Sequence, residues 1–169
     1  MRHKLVLFTS SLLLLLCVLQ APSGDATGGP NPAVGYLTIT SETGVFHSVC
    51  LLEYPNGTKK WFGFKPAVHL SPSGPGFVET ANRESYINHY IRFQVAVSSL
   101  TAAESMIAAK YAHAQYEVLV FDCVSMTADV ARVCGLNVDD NAYTPFGLIT
   151  FLRFTNQYVN YDDEPYPWD

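Results

Sequence analysis

Basic residues are scarce. Lys and Arg number 10 against 15 Asp and Glu in 169 residues. Discounting Arg2 and Lys4, which open the chain, leaves 8 basic residues against the same 15 acidic ones, a net charge of −7. Such a surface repels phosphate, so nucleic acid and anionic membranes are excluded as partners. Cysteine is sparse too, at four residues. Too few thiols remain for a disulfide scaffold, and a chain this long can bury a core without one. His69, His89 and His113 have no metal-ligand spacing among themselves or with carboxylates, so no metal is expected. No Gly-rich phosphate loop occurs, because Gly74-Pro75-Gly76 carries proline where a backbone N–H is needed. No cofactor is expected. Long apolar runs are absent apart from Leu5–Leu19, which is short for a bilayer span. No internal repeat is found.

That run follows the basic start Arg2-His3-Lys4 and precedes the small residues Ala21 and Ala26. It reads as a secretory signal peptide over residues 1–21, with cleavage as late as 26. An uncleaved membrane anchor is the alternative. A secreted, extracellular or periplasmic protein follows, with no membrane association once the signal is removed. Residues 22–34 are rich in Pro and Gly and form a lead-in. A single domain is expected over 35–156, and 157–169 is an acidic, aromatic tail, adherent or disordered. The remaining cysteines are Cys50, Cys123 and Cys134. Cys123 and Cys134 lie on one helix roughly 16 Å apart and cannot bridge each other. A Cys50–Cys134 bridge and no disulfide at all both stay open.

Tyr36–Thr40 and Val45–Tyr54 have strand composition, and Asn56-Gly57 suits a two-residue type I′ hairpin returning through Lys59–Phe64. In that register Leu52 faces Trp61, and His47 shares a core-directed face with Val49, Leu51, Phe62 and Phe64. Asn56-Gly57-Thr58 also matches an N-glycosylation sequon, which matters for a eukaryotic source; a hairpin turn with a fortuitous threonine accounts for the same residues. Residues 65–85 have turn composition and no period, the pattern of a long loop. Ile91–Ser98 alternates as a half-buried strand. Ser99–Ala114 reads as a helix, with Thr101 and Glu104 at capping-box spacing. A helix from Cys123 to Gly135 has only Ser125, Asp129 and Arg132 as a polar stripe, so protein should surround it. Phe146–Phe154 is apolar and fits a helix or a strand; it is read as a helix.

The stretch Tyr116–Leu136 organises the chain. Cys123 begins its helix, beside the unpaired N–H groups and the positive dipole end. That position favours thiolate and makes Cys123 the candidate nucleophile. His47, on a strand facing the core, is the candidate general base. Cys134, at the opposite helix end, and Cys50 are structural.

Several segments together resemble the circularly permuted NlpC-like papain-fold cysteine hydrolases. They are His47 in GVFHSVCLLE, the hairpin end WFGFKP, Gly74-Pro75-Gly76, Tyr116 in YEVL and the run DCVSMTADVARVCGL. The resemblance spans about residues 36–136. It implies an α+β, papain-like fold in which an antiparallel sheet packs on a central Cys-bearing helix. It implies hydrolysis of amide bonds, as in peptidoglycan peptides, by a cysteine peptidase or amidase. Cys123 would attack, His47 would move the proton, and the Cys123 N–H with the Tyr116 hydroxyl would hold the oxyanion. Two features depart from the family. Asp122 stands where Asn is common, and it either raises the Cys123 pKa or caps the helix. No third residue orients His47: Lys60, Phe62 and Phe64 offer no acceptor, Glu53 is too far, and His69, Ser48 or a backbone carbonyl are substitutes. Two alternatives stand beside the hydrolase. One is a catalytically inactive secreted binding module on the same fold; the other is an acyl transferase or hydrolase acting on lipid-like substrates.

Overall fold

The computed structural model describes residues 33–42, 46–141 and 144–162. The expected signal peptide, most of the lead-in and the last part of the tail lie outside these residues. The described residues belong to one compact unit, Pro32–Asp169. The architecture is α+β, with a seven-stranded antiparallel sheet and three helices. The strands are β1 (Val34–Glu42), β2 (Ser48–Glu53), β3 (Lys59–Pro66), β4 (Ser73–Glu79), β5 (Ile87–Ala96), β6 (Gln115–Glu117) and β7 (Asn160–Tyr161). Their order across the sheet is β6-β4-β3-β2-β1-β5-β7. The helices are α1 (Val97–Lys110), α2 (Cys123–Val133) and α3 (Pro145–Thr155).

One face of the sheet carries Leu37, Ile39, Cys50, Leu52, Phe64, Ile91 and Phe93, and the three helices pack on it. Every residue of β2 is buried, so the sheet is covered on both sides at its centre. The second face holds a smaller cluster of Val49, Leu51 and Trp61, with Ile87 against it. α2 is buried along nearly its whole length, as its composition predicts, and ends at Gly135 with φ +82. Among the described residues no helix is long and apolar enough to cross a membrane.

Three local expectations are corrected, and the described part of the tail takes the adherent of its two expected forms. The hairpin loop is Pro55-Asn56-Gly57: Tyr54 N donates to Thr58 O at 2.9 Å and only Gly57 takes a positive φ. This pairs Leu51 with Trp61 and Val49 with Gly63. A one-residue slip moves the returning strand's side chains to the other face. Phe62 and Phe64 therefore line the helix side, and the face of Val49 and Leu51 meets Trp61 and Gly63. The 65–85 segment is not one long loop but contains β4, whose Gly76 lets the Phe64 ring approach where a Cβ would sit 2.3 Å from it. α1 starts at Val97, so Thr101 and Glu104 lie inside it. Thr101 bonds back to Val97 O, and Glu104 receives Lys60 and the Tyr54 hydroxyl. In the tail, β7 extends the sheet beside β5, and the Asp162 carboxylate accepts from Tyr90 N and meets His89 Nδ1, both at 2.6 Å.

Candidate functional site

Asp122 and Ser125 close a capping box at the start of α2. Asp122 Oδ1 accepts from Val124 N and Ser125 N, each at 3.0 Å, while Ser125 Oγ accepts from Asp122 N at 3.2 Å. Asp122 Oδ2 takes a third amide, Leu119 N, at 2.9 Å. Asp122 takes both of its expected roles, since it caps the helix and its charge also raises the Cys123 pKa. Cys123 follows as the first helical residue, 2% exposed. Four residues on, Thr127 bonds Ser48 on β2 through their hydroxyls at 3.0 Å, and this bolts the first turn of α2 to the sheet.

The Cys123 sulfur lies against the backbone on both sides of His47. Sγ is 3.7 Å from the Phe46 carbonyl oxygen, and the Ser48 N–H donates to it. The Tyr116 hydroxyl lies beside it as well. Burial pushes the thiol up to about 12, and the Asp122 charge pushes the same way. N–H groups of Ser48, Val124 and Cys123 pull downward and lose. The helix start acts as the dipole argument predicts, but desolvation outweighs it, and the amides best placed to hold an anion already serve Asp122.

His47 is 6% exposed and turns away from this sulfur. Its Nε2 lies 2.9 Å from where a Cβ on Gly63 would stand, next to the Val49 side chain. Gly63 pairs with Val49 and Glu79, so the imidazole occupies the second face of the sheet. The β2 side chain directed at α2 is that of Ser48. His47 Nε2 is buried without a hydrogen bond among the described residues, 3.9 Å from Glu79 Oε2. Glu79 is committed elsewhere: Lys65 Nζ is 2.6 Å and Arg83 Nε 3.7 Å from that oxygen, and Arg83 grips Glu42 through two bonds. Burial, then the charges of Lys65 and Arg83, lower the imidazole to about 3. Near neutral pH the site therefore holds a thiol and an uncharged imidazole.

Glu79 is the carboxylate that His47 faces, beyond hydrogen-bond reach at 3.9 Å, and sequence reasoning did not find it. Gly and Pro hide β4, and the alternation of Phe77-Val78-Glu79 is too short to register. The pairing of Ser48 with Thr127 gave no signal, since it spans 79 positions. Cys50, Cys123 and Cys134 are all free thiols, which settles the open disulfide question among the described residues. A recess of about 220 Å³ runs beside the α2 start, lined by Leu119, Val120, Asp122, Ser125, Asp129 and Arg132. Among the described residues no group of three or more His, Cys, Asp or Glu could hold a metal ion. Comparison of the chain with protein-family models, curated proteins and solved structures finds no match.

One consequence concerns Asp122 directly. Asp122→Asn keeps the N-cap acceptor but removes the charge and the second oxygen that accepts from Leu119 N, so it should cost about 1 kcal/mol of stability while the Cys123 pKa falls. Asp122→Ala should cost about 1–2 kcal/mol as well. Urea unfolding and the pH profile of Cys123 alkylation measure the two effects. An unchanged profile in Asp122→Asn would contradict the electrostatic role.

Proposed function

We propose that this chain is a secreted binding module for peptide or peptidoglycan-type ligands. It would keep a papain-like, permuted NlpC-type fold and have lost amide hydrolysis. The carrying observation is the placement of the imidazole and the thiol on opposite faces of the sheet, each buried and uncharged. General-base catalysis needs the base within hydrogen-bond reach of the proton it takes. Here the sulfur's partners are backbone groups and the Tyr116 hydroxyl, and the imidazole faces Glu79. The recess beside α2 mixes apolar walls with Lys110, Asp129 and Arg132, which suits a peptide with charged groups.

Alkylation tests this reading. A thiol held about three units above its ordinary value has roughly a thousandfold less thiolate at neutral pH. Iodoacetamide should modify Cys123 in the native protein about that much more slowly than in the urea-unfolded chain, and His47→Ala should leave the rate unchanged. Co-sedimentation with insoluble peptidoglycan should survive Cys123→Ala.

The second reading is a cysteine peptidase or amidase with Cys123 as nucleophile and His47 as base. It is favoured by the first-turn position of Cys123 and by the Ser48 N–H and Tyr116 hydroxyl that meet its sulfur. In that mechanism, after the His47 strand end shifts, the sulfur bonds to the amide carbon as the C=O π pair moves onto oxygen and the thiol proton passes to the imidazole; the C–N bond then breaks as the pair on oxygen returns and the imidazolium gives its proton to the leaving amine, and water hydrolyses the thioester. Exposed Val118, Leu119 and Val120, just before Asp122, favour the variant of this reading with lipid-like substrates. Cys123 labelling faster than an unfolded thiol, and slowed by His47→Ala, would establish hydrolysis in place of binding.

A further inference from the structure

We propose that Asn56, at the tip of the β2–β3 hairpin, is an N-glycan acceptor. The inference rests on the reading that the chain enters a secretory route. Asn56-Gly57-Thr58 is the only Asn-x-Ser/Thr tripeptide in the 169 residues, and neither Gly57 nor Lys59 is proline. The hairpin geometry weakens the purely conformational account of this asparagine. A type I′ turn would require Asn56 at positive φ, a place where asparagine is specially suited. In the observed three-residue loop only Gly57 is there, with φ +84, and the local role left to Asn56 is the Oδ1 acceptor for Thr58 N, which aspartate would fill equally well.

The side chain is also presented for reaction. Pro55 through Lys60 are all exposed. Asn56 Oδ1 accepts from Thr58 N at 3.0 Å, and this turns Nδ2 outward. Neither Asn56 Nδ2 nor Thr58 Oγ1 has a partner among the described residues, so both polar groups that the tripeptide contributes are open to a transferase. The donor would be an oligosaccharide joined to a lipid through a diphosphate. Nδ2 bonds to the anomeric carbon, the bond from that carbon to the diphosphate oxygen breaks, the lipid diphosphate leaves with the electron pair, and the amide gives one proton to a base of the transferase. β2 separates the tip from Ser48 by roughly 17 Å of strand. A glycan there stands at the opposite end of the hairpin from Cys123 and leaves the α2 recess uncovered.

Expression of the full chain in a eukaryotic secretory host tests this. The secreted protein should carry a mass increment that peptide N-glycosidase removes. Asn56→Asp, which keeps the oxygen bonded to Thr58 N, should abolish the increment, as should the near-isosteric Thr58→Val. Thr58→Ser should retain it. Secreted protein at the bare polypeptide mass, or an increment that persists in Asn56→Asp, overturns the site while leaving the secretory reading intact. Protein retained in the cells at the full-length polypeptide mass overturns the secretory reading, and the site falls with it.

Discussion

Lowering the pH from 6.5 to about 3 should remove on the order of 4 kcal/mol of folding stability through His47 alone. The sign follows from proton binding. In the unfolded chain the imidazole takes a proton near its ordinary value of 6.5, whereas in the folded protein burial and the Lys65 and Arg83 charges delay this to about 3. Between those values the unfolded state binds more protons, so stability falls as pH falls, by about 1.4 kcal/mol per pH unit. The contribution is fully present above pH 6.5. Other groups that change charge across this range add acid sensitivity of their own, so the test is a difference. Urea unfolding of the wild type and of His47→Gln, at several pH values from 7 to 4, should show a distinctly shallower decline for the variant. Parallel declines would mean that His47 is not held as a neutral buried base.

Phe64→Ala should cost about 3–5 kcal/mol. Phe64 is fully buried on β3 and joins three aromatic rings. Its centroid is 5.2 Å from Tyr111 and 5.9 Å from Phe121, both edge-on, and 5.5 Å from the tilted Tyr116. Two of those rings flank the segment that leads into Asp122 and Cys123. Gly76 has no side chain where the ring passes, so the space vacated by the substitution has no neighbour able to refill it cheaply. Loss of the ring should also loosen Tyr116, whose hydroxyl meets the Cys123 sulfur. Thermal unfolding reads the stability loss, and iodoacetamide labelling of Cys123 below the melting transition should accelerate. A stability change under about 1 kcal/mol would show that the cluster repacks around the gap.

The helical elements were the most legible. α2 declared itself by its near-continuous apolar composition with a narrow polar stripe, and Gly135 marked its end. α3 was read only from its apolar run, which suits a strand as well, and its start at Thr144 and Pro145 went unread although both hold favoured positions. The β2–β3 hairpin was legible as an element but not in register. Asn-Gly signals a two-residue turn strongly, yet a three-residue loop containing Pro55 formed, and the one-residue difference reversed the face assigned to the returning strand. The faces of β1 and β2 gave no warning, because both sides of the sheet are buried there, whereas β5 alternates as read. β4 was hidden because glycine and proline, which usually break strands, here permit close approach to Phe64. At the site, Cys123 at a helix start, the Asp122 cap and Tyr116 beside the sulfur all followed from local pattern or resemblance. Glu79, Ser48 and Thr127 did not, since each acts through a contact between distant segments.

What the sequence by itself determined is therefore local and compositional. It set an α+β chain with few basic groups, a buried helix led by Cys123 and a capping carboxylate before it. Backbone propensity, hydrophobic period and side-chain chemistry are properties of neighbouring residues, so they can be read without a fold. Only the tertiary structure decided the ionisation of the thiol and imidazole and the face on which His47 lies. Those depend on strand register and on how much water the packed elements exclude. A one-residue register change moves a side chain across the sheet, and burial at that place costs a charged group more than the α2 start returns to the Cys123 thiolate.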